Sequence, residues 1–198
     1  MTDARFAGLI AAAGRSSRMG RAKALLALDG ETFVGRLADA LALAGLSPVV
    51  VTLPEPPGDE PVRAALEGRS VIATRNAFPG EGLSGSVRTA LDVAGDVDGL
   101  VLTPVDAPFA SAELVRALLE ALVARSALAV VPVVDGTRGH PVAFARGAFA
   151  ALRAASERGG PRGVLADLGD DVVEVPWRDA RITRNVNTPR DLEDLLRP

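Results

Sequence analysis

Four basic side chains, Arg15, Arg18, Arg21 and Lys23, crowd together with Gly14, Ser16 and Ser17 directly behind the apolar run Phe6–Ala12. Glycine lets a ligand approach the backbone, the serines offer hydroxyl donors, and the guanidinium and ammonium groups supply fixed positive charge. That combination suits a polyphosphate. It equally suits an ordinary turn between a strand and a helix whose basic residues are simply solvated, and composition alone does not separate the two. Two familiar phosphate loops are excluded. In a P-loop Lys23 would have to follow Gly20 directly and be followed by Ser or Thr, where this chain has Ala24. The dinucleotide-binding pattern fails because Arg15-Ser16 interrupts Gly-x-Gly.

Other segments carry chemistry too. In Leu102-Thr103-Pro104-Val105-Asp106-Ala107-Pro108 a carboxylate follows an apolar strand and is bracketed by prolines that stiffen it. Open α/β sheets bind ligands beyond the carboxyl ends of their strands, and one or two carboxylates with phosphate oxygens are the usual setting for Mg²⁺. The structural alternative is an aspartate that closes its own turn. Gly80–Ser86 precedes a helix, where Ser84 and Ser86 could cap it or its amides could meet a ligand. Arg138-Gly139-His140-Pro141 holds the one histidine, fixed between Gly and Pro. Asn185-Val186-Asn187-Thr188-Pro189 reads as a turn with Thr188 as an N-cap, which leaves Asn187 free for another role.

The elements that must position these residues alternate between apolar runs and helical patterns, as in an α/β layered fold with a largely parallel sheet. Strands are predicted at Phe6–Ala12, Val49–Leu53, Val71–Thr74, Leu100–Thr103, Leu128–Val134, Gly139–Ala145 and Val172–Val175. The first five are continuous apolar runs, as expected where helices cover both faces of a sheet. Helices are predicted at Thr32–Ala44, Pro61–Glu67, Ser84–Val93, Ser111–Arg125, Ala148–Ala155 and Thr188–Leu196. Ser111 should cap its helix, and Leu114, Leu118, Leu119 and Leu122 recur there at helical spacing. Gly159–Gly163 reads as a loop, and Pro54–Pro61 as a surface turn rather than a domain boundary. The reading is one domain over residues 1–198.

Composition narrows the chemistry. The 198 residues are 48% hydrophobic and 24% charged, so a sizeable core is expected and wholesale disorder is not. A net charge of −3 argues against nucleic acid as a partner. Cysteine is absent, which removes disulfides, thiolate catalysis and Cys-based metal sites. MTDARF lacks the features of a signal peptide, and no apolar run reaches the roughly 20 residues needed to span a bilayer. The expectation is a cytoplasmic protein without a membrane partner.

Together the motifs resemble the nucleotidyltransferases with a Rossmann-like fold, the MobA-like NTP transferase family. LIAAAGRSSRMGRAKALL is similar to the family's L-A-A-G-x-S-x-R-M-G-x-x-K signature, TPVDAP to its metal-binding aspartate motif, and NVNTPRDL to its N-x-N-T-P-x-D-L segment. The Gly82–Ser86 and Arg138–Pro141 segments are most similar to enzymes that attach a nucleotide to the molybdenum cofactor, in particular the molybdopterin cytidylyltransferases. The resemblance spans nearly the whole chain and implies a three-layer α/β fold of the nucleotide-diphospho-sugar transferase type. It places Ala11, Ala12, Ala13, Gly14, Arg15, Ser16, Arg18, Lys23 and Ser84 on the nucleotide, with Ser84 near the base. Arg18, Lys23 and Asp106 would be catalytic, and Asp106 would hold Mg²⁺ with Asn187 as a second ligand. Arg138, Gly139, His140 and Pro141 would face the acceptor. Guanylyl-transferring relatives carry two glycines where this chain has Ala13-Gly14. A methyl at Ala13 leaves less room for the base, which favours CTP.

The implied reaction is attack by an acceptor phosphate oxygen on the α-phosphorus, releasing pyrophosphate, with a molybdoenzyme as eventual partner. Positioning and charge neutralisation suffice for such a displacement, so no protein nucleophile is required. Two other readings stay open: the same chemistry on a sugar phosphate or another small phosphate, and a non-catalytic accessory protein that binds nucleotide or cofactor for a molybdoenzyme.

Overall fold

A computed structural model describes residues 4–14, 19 and 21–196. Among these, one sheet runs in the order β10 (Val172–Pro176), β7 (Ala129–Val134), β9 (Val142–Ala145), β6 (Gly99–Pro104), β1 (Phe6–Ala11), β4 (Val49–Leu53), β5 (Ile72–Arg75), with β8 (Thr137–Arg138) pairing on β7. All pairs among β6, β1, β4 and β5 are parallel, as is β10 on β7. β9 is inserted antiparallel between β6 and β7. A two-residue hairpin, β2 (Ala27–Leu28) with β3 (Glu31–Thr32), stands apart from the sheet.

Strand alternation divides the core into two halves. Along β1 and β6, Leu9, Leu100 and Leu102 enter one apolar cluster, while Ile10 and Val101 enter the other. The second of these clusters lies under α1 (Phe33–Leu43), α2 (Asp59–Ala64) and α4 (Ala112–Ala124), with Leu37, Leu41, Val62, Leu114 and Leu118 buried in it. The first is covered by α3 (Leu83–Ala94), α5 (Phe149–Arg153) and α6 (Pro161–Leu168) through Val87, Leu91, Leu152 and Val164. Three layers result, with a mostly parallel sheet in the middle. The caps of α1 and α4 are of the expected kind, since Thr32 accepts from Gly35 N at 3.2 Å and Ser111 from Leu114 N at 3.1 Å.

Three expectations are corrected. The run Gly139–Ala145 is not one strand: Gly139 N still bonds to Pro132 O of β7, but His140 N turns away to Ile182 O, and strand pairing resumes only at Val142. The segment Gly159–Gly163 is not all loop, since Pro161 opens α6 at the first helical position, where its missing N–H costs nothing. Ser84 and Ser86 do not cap α3. The helix starts at Leu83 behind Gly82, so both serines lie inside it.

In strand order, β4 and β5 extend from β1 in one direction and β6 flanks it in the other. The chain's direction of winding therefore changes between β1 and β6, which is where open α/β sheets form a crevice at their carboxyl ends.

Candidate active site

The loops leaving β1 and β6 flank that crevice. The β1 loop starts with Ala12, whose N–H bonds to Thr52 O at 3.1 Å, and returns through the turn Lys23–Leu25. The β6 loop is tied to β1 by Val105 N on Ala11 O at 3.1 Å. Asp106 therefore sits at the mouth of the crevice, and Lys23 reaches it. Lys23 Nζ donates to Asp106 Oδ2 at 2.8 Å and to Asn187 Oδ1 at 2.7 Å. Residues 83 and 164 positions beyond Lys23 in sequence thus meet on its single cation. The Lys23 and Asp106 side chains keep only 13% and 20% of their exposure, so the pair is part-buried yet open to a ligand.

The segment before α7 (Pro189–Leu196) supplies the third member. Val186 N bonds to Asp106 O at 2.8 Å, and Asn185 Nδ2 donates to Asp106 Oδ1 at 3.3 Å. Asn187 N and Thr188 N both donate to Asp191 Oδ2 at 2.8 Å, while Asp191 N donates to Thr188 Oγ1 at 3.2 Å, a reciprocal capping box. These backbone donors, joined by the nearby Lys23 charge, hold the Asp191 carboxyl below the usual carboxylate range. Asp106 is not closing its own turn, because its oxygens go to Lys23 and Asn185.

The other expected residues fall into three groups. Ala11, Ala12, Ala13 and Gly14 line up at the end of β1, with Ala12 buried and Gly14 exposed. Arg15, Ser16 and Arg18, along with Ser17 and Gly20, lie outside the described residues. Ser84, in the first turn of α3, keeps 3% of its exposure. The Arg138–Pro141 quartet divides. Arg138 turns to the sheet edge and donates from Nε to Glu174 Oε1 at 2.8 Å. Gly139 lies against Ile182, where an added Cβ would stand 2.7 Å from the Ile182 carbonyl oxygen. His140 N bonds to that same carbonyl at 2.9 Å, which links it to the strand of chain leading to Asn185 and Asn187. Its Nδ1 is buried and has no hydrogen-bond partner among the described residues. Burial pushes the imidazole pKa down from its ordinary value, against the pull of the Asp106 charge.

Chemistry-bearing spacing alone does not single out Asn185 or Asp191. The Thr188-x-x-Asp191 spacing is the signal that finds the second, and the first is marked only as the leading Asn of the NVNTPRDL segment.

A family model for the MobA-like NTP transferase domain matches residues 8–172. The chain belongs to that family. Its chemistry is therefore nucleotidyl transfer. The chain is 33% identical over 212 residues to a molybdenum cofactor guanylyltransferase of Rhodobacter capsulatus, covering 98% of this chain and 97% of that protein. Among solved structures it is similar to Rv0371c of Mycobacterium tuberculosis H37Rv, with a TM-score of 0.80 and 29% identity over 99% of both chains. A complex of Rv0371c with manganese matches at a TM-score of 0.75 and 27% identity, covering 97% of this chain and 98% of that one.

Proposed function

We propose that this chain transfers a cytidylyl group from CTP to the phosphate of a molybdopterin-type acceptor, releasing pyrophosphate. The observation that carries the reading is the pair of side-chain oxygens, Asp106 Oδ2 and Asn187 Oδ1, that converge within 2.8 Å on one cationic nitrogen at the crevice mouth. An ammonium already occupies a position two hard oxygens share, and a divalent ion makes the same demand. One carboxylate and one amide oxygen suit Mg²⁺, which keeps its remaining positions for water and phosphate. The manganese complex of the Mycobacterium tuberculosis relative supports a divalent ion here. Bound Mg²⁺ would supply charge neutralisation at the α-phosphate and the departing pyrophosphate.

The chain's own groups do the rest. The backbone at Ala11–Gly14 lies along the nucleotide, Lys23 turns from Asp106 onto the phosphates, and Arg15, Ser16 and Arg18 complete the grip. Ser84 stands toward the base, and Gly139, His140 and Pro141 form the acceptor side. An acceptor phosphate oxygen bonds to the α-phosphorus as the bond from that phosphorus to the bridging α–β oxygen breaks, and pyrophosphate carries the electron pair away. Lys23 stabilises the charge that develops on those oxygens. Neutral His140 offers a hydrogen bond to the acceptor without adding charge.

CTP is favoured by the methyl of Ala13, which narrows the base end of the site. Guanylyl transfer from GTP is the second reading, and the name of the Rhodobacter capsulatus relative is the observation behind it. None of the described helices is long and apolar enough to cross a membrane; we place the reaction in the cytoplasm, with a molybdoenzyme receiving the product. Pyrophosphate release with molybdopterin and each of CTP, GTP, ATP and UTP decides among these. CTP-dependent release supports the proposal, GTP-dependent release the second reading. Release with a sugar phosphate alone would move the acceptor, and nucleotide binding without any release would make the chain an accessory protein.

A further inference from the structure

Three buried hydroxyl side chains meet where α3 packs on β4: Thr52 at 0% exposure, Ser86 at 2% and Thr89 at 4%. Apolar side chains could fill the same space without the cost of burying polar groups. Instead these groups bond to their surroundings. Thr52 Oγ1 donates to Ser86 Oγ at 3.0 Å, and Asn76 Nδ2 reaches that oxygen at 3.5 Å and Gly82 O at 3.4 Å. Asn76 Oδ1 accepts from Phe78 N at 2.9 Å. Thr89 Oγ1 accepts from Ala77 N at 3.0 Å and donates to Gly85 O at 2.9 Å. The turn at residues 76–78 is pressed against the helix, because a Cβ on Gly85 would collide with the Phe78 carbonyl.

Thr52 bonds in two directions. Its carbonyl oxygen accepts from Ala12 N at 3.1 Å, at the root of the β1 loop. Its hydroxyl reaches Ser86, which shares the first turn of α3 with Ser84. One residue of β4 therefore spans the two segments that the proposed function places around the base. Apolar packing is non-directional and would let the start of the helix slide, whereas a hydroxyl bridge fixes distance and direction together.

We propose that Thr52 and Ser86 are positioning residues for base selection. Their bridge sets the gap between Ala12-Ala13 and the first turn of α3, and with it the width of the slot that a pyrimidine or purine enters. Asn76 and Thr89 brace the turn behind the bridge. Both bridging side chains are buried, so they act through the segments they hold rather than by touching the base. The assignment rests on the nucleotide-site reading above and adds a second determinant to the Ala13 methyl.

The test is calorimetric titration of the full chain with CTP, GTP and inorganic pyrophosphate, each with Mg²⁺. Pyrophosphate has no base and reports on the phosphate grip alone. Wild type is compared with Thr52→Val, Ser86→Ala, the double variant and Thr52→Ser, each with its melting temperature. Removing one hydroxyl strands its buried partner, whereas removing both is close to neutral for stability. The double variant thus separates the fold from the slot. It should melt near wild type yet bind the favoured nucleotide about fivefold or more weakly, the scale of one net hydrogen bond. The ratio of CTP to GTP affinity should move toward unity, with pyrophosphate affinity unchanged. Thr52→Ser keeps the hydroxyl and should keep the wild-type ratio.

An unchanged ratio in the double variant overturns the proposal, as does a shift in Thr52→Ser as large as that in Thr52→Val. So does pyrophosphate affinity that falls in step with that of the nucleotides, or a wild type that binds CTP and GTP equally. A wild type that prefers GTP overturns the cytidylyl reading instead, and the assignment stands if the double variant narrows that preference. Binding of pyrophosphate but of neither nucleotide removes the nucleotide-site reading and this assignment with it.

Discussion

Lys23 holds two oxygens that belong to distant parts of the chain, and its removal leaves both without their shared cation. Lys23→Met and Asp106→Asn should each lower turnover by a factor of about 100 or more, as loss of a principal electrostatic stabiliser does. Circular dichroism confirms the fold, and near wild-type turnover in either variant removes these residues from the chemistry. Ala13→Gly tests base choice at the same scale. It should raise the ratio of GTP to CTP use in pyrophosphate release, and an unchanged ratio would show that the methyl does not set it. His140 gives a pH signature. Its folded-state pKa lies below the ordinary value of about 6.5, so the native state resists protonation and the unfolded state does not. Its contribution to stability is present above that ordinary value and lost as pH falls through it toward the lower folded value. Melting temperature should therefore fall more steeply below about pH 6.5 in the wild type than in His140→Gln. Parallel slopes would count against a buried neutral imidazole.

Elements act through their ends in this protein. The capping box at the start of α7 fixes the backbone of Asn187, so Asp191→Ala should raise the Mg²⁺ concentration for half-maximal activity several-fold while leaving helix content intact. An unchanged metal requirement would show that Asn187 is held well enough without it. Ser111→Ala, remote from the chemistry, should cost about 1 kcal/mol through the lost cap on α4, read from denaturant unfolding, with turnover unchanged. The parallel strands were legible because burial on both faces leaves uninterrupted runs such as Val49–Leu53. Ser111 and Thr188 were legible as caps because that role needs only a local spacing. Gly139–Pro141 was not, since the His140 N–H leaves the sheet for Ile182 O, a partner that no local pattern shows. The start of α6 was hidden by the Gly and Pro content that suits a loop and a helix entry equally. The bond from Asn185 to Asp106 joins segments far apart in sequence and left no trace in spacing.

At the scale of the molecule, the change of winding between β1 and β6 puts two loops of different chemistry on one crevice, one basic and glycine-bearing, the other carrying Asp106. The inserted antiparallel β9 brings His140 to the same rim, and the segment from Ile182 to Asn187 ties all three together. Ligand that binds only the folded crevice should raise the melting temperature by mass action, and CTP should do so more with Mg²⁺ than without. Equal shifts with and without the ion would separate nucleotide binding from the Asp106–Asn187 pair. The central claim, that the Lys23, Asp106 and Asn187 constellation is a cytidylyl-transfer centre, is tested most directly by pyrophosphate release with CTP, Mg²⁺ and molybdopterin in wild type and Asp106→Asn. The predicted result is release that requires all three components and falls about 100-fold or more in the variant. Release that is independent of molybdopterin, or undiminished in Asp106→Asn, would contradict it.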